Sequence, residues 1–233
     1  MRLISVNVGQ PRIAEWNGEA LETGIFKEAV AGSVRVHRTN VEGDRQADLT
    51  VHGGVDKAVY AYPSEHYPFW RATLERADLG WGMFGENLTT EGLDETTVRI
   101  GDVFAIGTVE LEVSQPRLPC KKLNMKFGRA DMGKHFLKSG RLGFYVRVRQ
   151  EGVLETGDTI RRIFTAETDA PTIAELARLE TTAKHDRALL ERAARCTALP
   201  EKWRKDYAEQ LAKLNRPTDV GHASGDGSRS TRQ

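Results

Sequence analysis

The sequence predicts a mainly β fold, a barrel or sandwich of short strands over residues 1–161, followed by a small helical appendage over 162–214. Two observations carry the prediction. Up to about Arg161, apolar residues recur every second position in short runs punctuated by glycine, the period of strands and tight turns. After about Phe164 the apolar spacing lengthens to three and four residues, the period of amphipathic helices. The chain has 233 residues, with 39% hydrophobic residues and 22 glycines. These are globular proportions, sized for one large domain or one domain with an appendage.

Taken in order, Ile4, Val6 and Val8 alternate with Ser5 and Asn7, which fits a half-buried strand. Val34 and Val36 repeat the pattern, as do Val59 and Ala61 against Tyr60 and Tyr62. Ser64 is placed to cap a helix running to about Ala77, with Pro68 tolerated in its first turn. Val103–Ile106 and Val109–Val113 flank Gly107 as a hairpin. Asp131 is placed to cap a helix that ends before Gly140. Phe144, Val146 and Val148 then alternate with Tyr145, Arg147 and Arg149 in a further strand.

The appendage begins with Thr172-Ile173-Ala174-Glu175, a capping box in which hydroxyl and carboxylate satisfy helix-start amides reciprocally. A second helix is expected near Asp186–Cys196. A third starts at Pro200, with Trp203, Tyr207, Leu211 and Leu214 on one face. Three helices this short bury too little alone, so they should pack on the barrel or on a second subunit, the latter making a homodimer. Residues 215–233 are rich in Gly, Ser and Thr and are expected to be disordered.

Composition narrows the function. The 34 Lys and Arg balance 33 Asp and Glu, which argues against a protein that coats nucleic acid through phosphate neutralisation. The two cysteines are too few for a disulfide framework or a four-thiolate iron–sulfur cluster. No run approaches the roughly 18 apolar residues of a membrane span, and residues 1–9 lack the pattern of an export signal. A cytoplasmic protein with free thiols is expected.

Three segments offer chemistry. Cys120 stands in Gln115-Pro116-Arg117-Leu118-Pro119-Cys120, where two prolines fix the backbone on the approach to the thiol. From Arg117 to Arg141 eight residues are basic and only Asp131 is acidic. Such surroundings favour the thiolate, which is the nucleophile and the metal ligand. The competing reading is a small buried cysteine beside a solvated basic face. The second segment joins Gly43-Asp44-Arg45-Gln46-Ala47-Asp48 to His52-Gly53-Gly54-Val55-Asp56-Lys57-Ala58-Val59-Tyr60. There Gly53 and Gly54 can turn backbone amides toward an anion, Lys57 can add a point charge, and His52 can donate a bond or a proton. An ordinary turn between strands is the alternative. The third is Gly85-Glu86-Asn87-Leu88, where Asn87 could offer an amide and Glu86 a carboxylate to a polar ligand, an ordinary loop being the alternative. Cys196, beside Arg195 on a predicted helix, reads as a packing residue.

Together with Gly101-Asp102, the order of these motifs resembles the MOSC domain, and specifically its YiiM-like subfamily. The resemblance spans about Met1–Arg161, and the helical region is similar to the three-helix appendage of that subfamily. It implies a MOSC-type β-barrel that binds molybdenum cofactor (molybdopterin), with Cys120 coordinating the metal. It also implies reduction of N-hydroxylated compounds such as 6-N-hydroxylaminopurine, a detoxifying activity. The cofactor's phosphate suits the basic segment. Cys120, His52 and Asp48 are the catalytic candidates. Lys57, Asn87, Arg117, Gly53 and Gly54 are the cofactor-binding candidates.

Two other readings stay open: a sulfur carrier using a Cys120 persulfide, and a non-catalytic module that holds an anion or cofactor. Under the reductase reading, each turnover consumes two electrons. With no four-cysteine set and no Gly-x-Gly-x-x-Gly turn, the chain should depend on a separate flavin or iron–sulfur electron-donor protein. The segment Arg117–Arg141 is the expected docking surface for it. No nucleic acid polymer and no membrane is expected as a partner.

Overall fold

The computed structural model describes residues 1–47 and 53–215. The chain opens with β1 (Arg2–Val8), a tight hairpin of β2 (Arg12–Trp16) and β3 (Glu19–Thr23), and three short strands, β4 (Glu28–Ala29), β5 (Val34–His37) and β6 (Asn40–Val41). Asn17 and Gly18 both have positive φ at the hairpin tip, the turn that matches the twist of paired strands. A single 3-10 turn at Val55–Lys57 precedes β7 (Val59–Pro63), and another at Ser64–His66 leads into α1 (Tyr67–Leu74). Helix α1 is therefore shorter than the expected span to Ala77, because Glu75 turns left-handed and closes it. Then come β8 (Leu88–Glu91), β9 (Val103–Ile106), β10 (Val109–Pro116), α2 (Lys121–Phe127), α3 (Met132–Ser139), β11 (Phe144–Gln150), β12 (Gly152–Leu154) and β13 (Ile160–Phe164). The chain closes with α4 (Ile173–Leu179), α5 (Arg187–Arg195) and α6 (Glu201–Leu214). Strand β13 runs across the expected boundary at 161.

Eight strands form one sheet in the order β13-β9-β10-β11-β7-β8-β1-β4. All its pairs are antiparallel except β7 with β8. The sheet curls until its two sides touch, with Leu3 N donating to Asp158 O at 2.9 Å and Ile160 N to Met1 O at 3.0 Å. Among the described residues a single isolated bridge, Arg2 to Thr159, joins them. The expectation of a closed barrel is corrected accordingly. Among the described residues this is a sheet-dominated fold with several helices, strongly curled and without a continuous closing ladder.

The alternation in β7 and β11 has a different consequence from the one expected. Val59, Ala61, Phe144, Val146 and Val148 point into the core inside the curl. Tyr60 and Tyr62, on the opposite face, do not meet solvent; they join Tyr67, Trp70, Phe84 and Phe136 in a second, aromatic core under α1–α3. Tyr62 stacks on Phe84 with centroids 4.6 Å apart and accepts a hydrogen bond from Trp70 Nε1 at 2.7 Å. Polar tips let tyrosines fill such a layer while their hydroxyls find partners. These strands are thus covered on both sides.

The capping box forms, with Glu175 N donating to Thr172 Oγ1 at 3.1 Å and Thr172 N to Glu175 Oε2 at 2.8 Å. Ile173, Leu176, Leu190 and Tyr207 bury in the same core as the sheet's Val113 and Val148. The appendage therefore packs on the sheet of its own chain. Among the described residues, no helix is long and apolar enough to cross a membrane. The tail expected to be disordered lies, beyond Asn215, outside the described residues.

Candidate functional site

Strand β10 ends at Pro116, and the Arg117–Pro119 segment carries the chain into α2, with Cys120 at the cap position of that helix. This turn faces the tyrosine side of the sheet across a cleft. Its walls come from Gly24–Ile25 and Lys27, from Arg45–Ala47, from Gly53 and Lys57, and from Tyr60, Tyr145, Arg117, Cys120 and Lys122. Gly24 is required here by close approach, since a Cβ would lie 2.2 Å from the Arg45 carbonyl oxygen. Five cationic side chains and no carboxylate line the cleft among the described residues. Cations facing one low-dielectric space repel one another, so the arrangement suits an anion between them.

Arg117 is the most constrained of the five. Its side chain is buried at 4% exposure. The guanidinium carbon lies 5.3 Å from the Tyr60 ring centroid and 5.1 Å from that of Phe136. Its Nη1 has no hydrogen-bond partner among the described residues. A buried charged donor without a partner is costly, and a ligand oxygen is the natural remedy. Burial pushes the Tyr60 and Tyr145 hydroxyls up from their ordinary values, so both stay protonated beside it. Burial also lowers Lys27, opposed by its ion pair with Asp44, and lowers Lys57, opposed by Asp56.

Of the expected site residues, the fold brings Cys120, Lys57, Arg117, Gly53 and Asn87 to this cleft. Gly54 is exposed and caps the turn at Val55–Lys57, its carbonyl accepting from Lys57 N at 3.1 Å. Both glycines have positive φ. Asp48 and His52 lie outside the described residues. Asn87 reaches the cleft wall, but its amide is engaged: Nδ2 donates to Asp44 Oδ2 at 2.9 Å, and Oδ1 accepts from Tyr60 N at 3.1 Å. Its work is therefore to tie loops to β7. Glu86 turns fully inward, accepting from Gly82 N, Phe84 N, Thr89 Oγ1 and Tyr67 Oη, which corrects its reading as a ligand carboxylate. Lys27 and Tyr145 escaped sequence reasoning, since neither stands in a Gly-rich motif and only tertiary contacts bring them here.

The basic segment is not one surface. Arg117 lines the cleft. Lys126 is half-buried and donates to Ile25 O at 2.8 Å and Gly82 O at 2.6 Å. Lys121 pairs with Glu19, Arg129 with Asp131, and Arg141 covers Phe69. Lys134 and Lys138 are left exposed on α3. Asp131 does not cap α3 with its side chain, which is taken by Arg129 and His135 instead. Cys196 packs against the main core, and burial raises its thiol.

Fold and cleft together define a curled-sheet protein with a cationic cleft that holds one cysteine. The MOSC domain pattern matches residues 48–161. The chain is 41% identical to the protein YflK of Bacillus subtilis (strain 168), over 91% of this chain and 95% of that one. It is 39% identical to a protein of Gibberella moniliformis (strain M3125 / FGSC 7600) named as a reductase, over 68% of this chain but 28% of that protein. Its structure superposes on that of YiiM from Geobacillus stearothermophilus with a TM-score of 0.76 and 34% identity, covering 90% of this chain and 98% of that one. This chain belongs to the MOSC domain family, and within it is YiiM-like.

Proposed function

We propose that the cleft holds molybdenum cofactor, with Cys120 as the protein ligand to the metal, and that the protein reduces N-hydroxylated compounds such as 6-N-hydroxylaminopurine. The observation that carries the reading is the buried Arg117 guanidinium with its unpartnered Nη1 in a five-cation cleft that also holds the Cys120 thiol. The residues fit the group: its phosphate matches Arg117 as a forked donor and Lys57 as a point charge, and its metal takes one soft sulfur ligand. Membership of the MOSC family and likeness to a protein named as a reductase support the same reading.

When bound, the metal supplies two-electron chemistry that removes an oxygen from nitrogen. In balance, a hydroxylamine takes two electrons and two protons and leaves as an amine and water. The chain's own part is electrostatic and steric. Arg117 and Lys57 orient the phosphate, and the tyrosine layer seats Arg117 and fixes where its fork points. The protonated hydroxyls of Tyr60 and Tyr145 add no negative charge that would repel the ligand.

The test is molybdenum and pterin content of freshly purified protein from cofactor-replete cells, beside the Cys120→Ser and Cys196→Ser variants. Wild type and Cys196→Ser should carry both near one per chain, and Cys120→Ser should lose most of the molybdenum. Equal loss at both cysteines, or at neither, would sink the assignment. Metal-free wild type with a persulfide on Cys120 would favour the sulfur carrier.

A further inference from the structure

The carboxylate of Glu95 lines no wall of the cleft, yet its partners lead to Arg117. Glu95 follows β8 in the chain and is 4% exposed. His66 Nε2, in the 3-10 turn before α1, lies 2.7 Å from one of its oxygens and 2.8 Å from the other. Glu95 Oε1 also accepts from Gly143 N at 3.0 Å. The backbone is fixed as well, Glu95 O accepting from Ala174 N at the start of α4 at 2.9 Å. A buried carboxylate met by an imidazole and an amide is a fixed acceptor, not a mobile surface charge.

Gly143 is where that acceptor meets the site. The segment Arg141–Gly143 leads into β11, and side chains hold one backbone group of each of its residues. Tyr62 Oη donates to Arg141 O at 3.2 Å, Tyr60 Oη donates to Leu142 O at 2.7 Å, and Gly143 N donates to Glu95. Gly143 O in turn accepts from Arg117 N at 3.3 Å. The backbone has no slack there: φ of Gly143 is +63°, and a Cβ would lie 2.5 Å from the Ala61 carbonyl oxygen. The segment thus reaches Arg117 by two routes. One is the bond to its backbone. The other is Tyr60, whose ring centroid lies 5.3 Å from the guanidinium carbon. A guanidinium is a rigid fork, so the direction of Nη1 is set by where its backbone and the ring under it are held.

We infer that Glu95, clamped by His66, is the positioning residue of the anion site: it fixes the turn at Arg141–Gly143, and that turn fixes Arg117. The inference deepens the proposed function and rests on the reading that the Arg117 fork holds the cofactor phosphate. Glu95 touches no ligand and acts only through Arg117. Without its hold the fork samples several directions, and an anion that binds must then bear the cost of ordering it. The acceptor at Oε1 matters here rather than the charge. Glutamine keeps that acceptor and has an amide to face the imidazole, whereas alanine keeps neither.

The experiment first reads Arg117 directly, by the rate at which its Nε–H proton, assigned by its loss in Arg117→Lys, exchanges with water in NMR spectra of the full chain. Glu95→Ala should speed that exchange about tenfold by local opening, and Glu95→Gln should keep the wild-type rate. Asp102→Asn is the control. Asp102 is fully buried, accepts from Arg99 N and Ala166 N at 2.9 Å each, and lines no wall of the cleft, so its loss should lower stability and leave the Arg117 rate unchanged. Pterin retained from cofactor-replete cells gives the second reading. Glu95→Ala should lower it about tenfold in affinity terms, and Glu95→Ala combined with Arg117→Lys should lose no more than Arg117→Lys alone, because residues that act as a unit are not additive. A change that only destabilised the fold would multiply with the arginine substitution. Should Glu95→Ala not fold, His66→Phe keeps a ring against Tyr62, removes the Nε2 clamp and should speed the Arg117 exchange in the same direction. An unchanged Arg117 rate in the folded variant, or losses that multiply in the double variant, overturns the inference. Wild type without pterin counts against the cofactor reading alone, since the Arg117 exchange rate still decides this one.

Discussion

Asn87 donates from Nδ2 to Asp44 Oδ2 across 2.9 Å in the protein interior, joining two loops 43 residues apart behind the cleft. The other carboxylate oxygen accepts from Gly9 N at 2.9 Å and pairs with Lys27. One aspartate thus positions an ammonium that lines the site, a strand end and a turn.

Removing that charge should be expensive. Asp44→Asn leaves the Lys27 ammonium buried and uncompensated, which costs about 3–5 kcal/mol when one partner of a buried pair is lost. Urea unfolding at neutral pH should show that drop. A loss below about 1 kcal/mol would mean that the Asp44–Lys27 pair does not hold the loops, given that an ordinary surface change costs no more than this.

Lys126 sets a pH dependence. Burial pulls its amine from 10.5 down to about 7, against the opposing attraction of Glu86. Between pH 7 and 10.5 the unfolded chain holds a proton there that the folded chain has released, so folding gains stability as pH rises through that window. Below about 7 the full penalty of burying the charge applies, on the order of 4–5 kcal/mol. Relative to Lys126→Met, wild type should therefore gain stability between pH 6.5 and 9.5, read from paired urea midpoints. A constant difference at both pH values contradicts the assignment.

Arg117 offers a test of charge against geometry. Arg117→Lys keeps the positive charge but loses the fork and the flat contact with Tyr60 and Phe136. Retained pterin, measured by fluorescence after oxidative release, should fall about tenfold in affinity terms, the worth of one charge-assisted hydrogen bond. Arg161→Ala, at an exposed position, should match wild type. Equal pterin in both would leave the cleft cations without a role in holding the cofactor.

Electron supply gives the fourth prediction. NADH or NADPH alone should not support reduction of an N-hydroxylated substrate, whereas a low-potential artificial donor should. Lys134 and Lys138 stand exposed on α3, next to the Cys120 turn, where a Cβ on Gly133 would lie 3.6 Å from Pro119 Cβ. Reversing both to Glu should slow turnover with an acidic flavin or iron–sulfur donor protein, and so should added salt, since such steering is screened within about 8–10 Å. The artificial donor should be indifferent to both changes. Turnover with the nicotinamide alone refutes the requirement for a separate donor.

The sequence by itself determined the local grammar of this protein. The Gly107 hairpin, the capping box at Thr172 and Glu175, and the three late helices follow from periods and end signals that act over a few residues. The Asn17-Gly18 hairpin carries an equally local signal, two residues of positive φ between paired strands. The motif order also pointed to the cleft, because Gly53, Lys57, Arg117 and Cys120 stand in short unusual segments. What only the tertiary structure decided is where side chains go once strands are covered on both faces. Alternation marks Tyr60 and Tyr145 as one side of a strand, but it cannot say whether that side meets water or a second core. The segment from Arg117 to Arg141 reads as one basic strip, yet folding sends Arg117 to the cleft, Lys126 to the interior and Lys134 to solvent. Charge along a chain is additive, whereas the environment of each charge depends on contacts from distant segments. The same holds for Lys27 and Asp44, whose pairing behind the cleft is a product of packing alone.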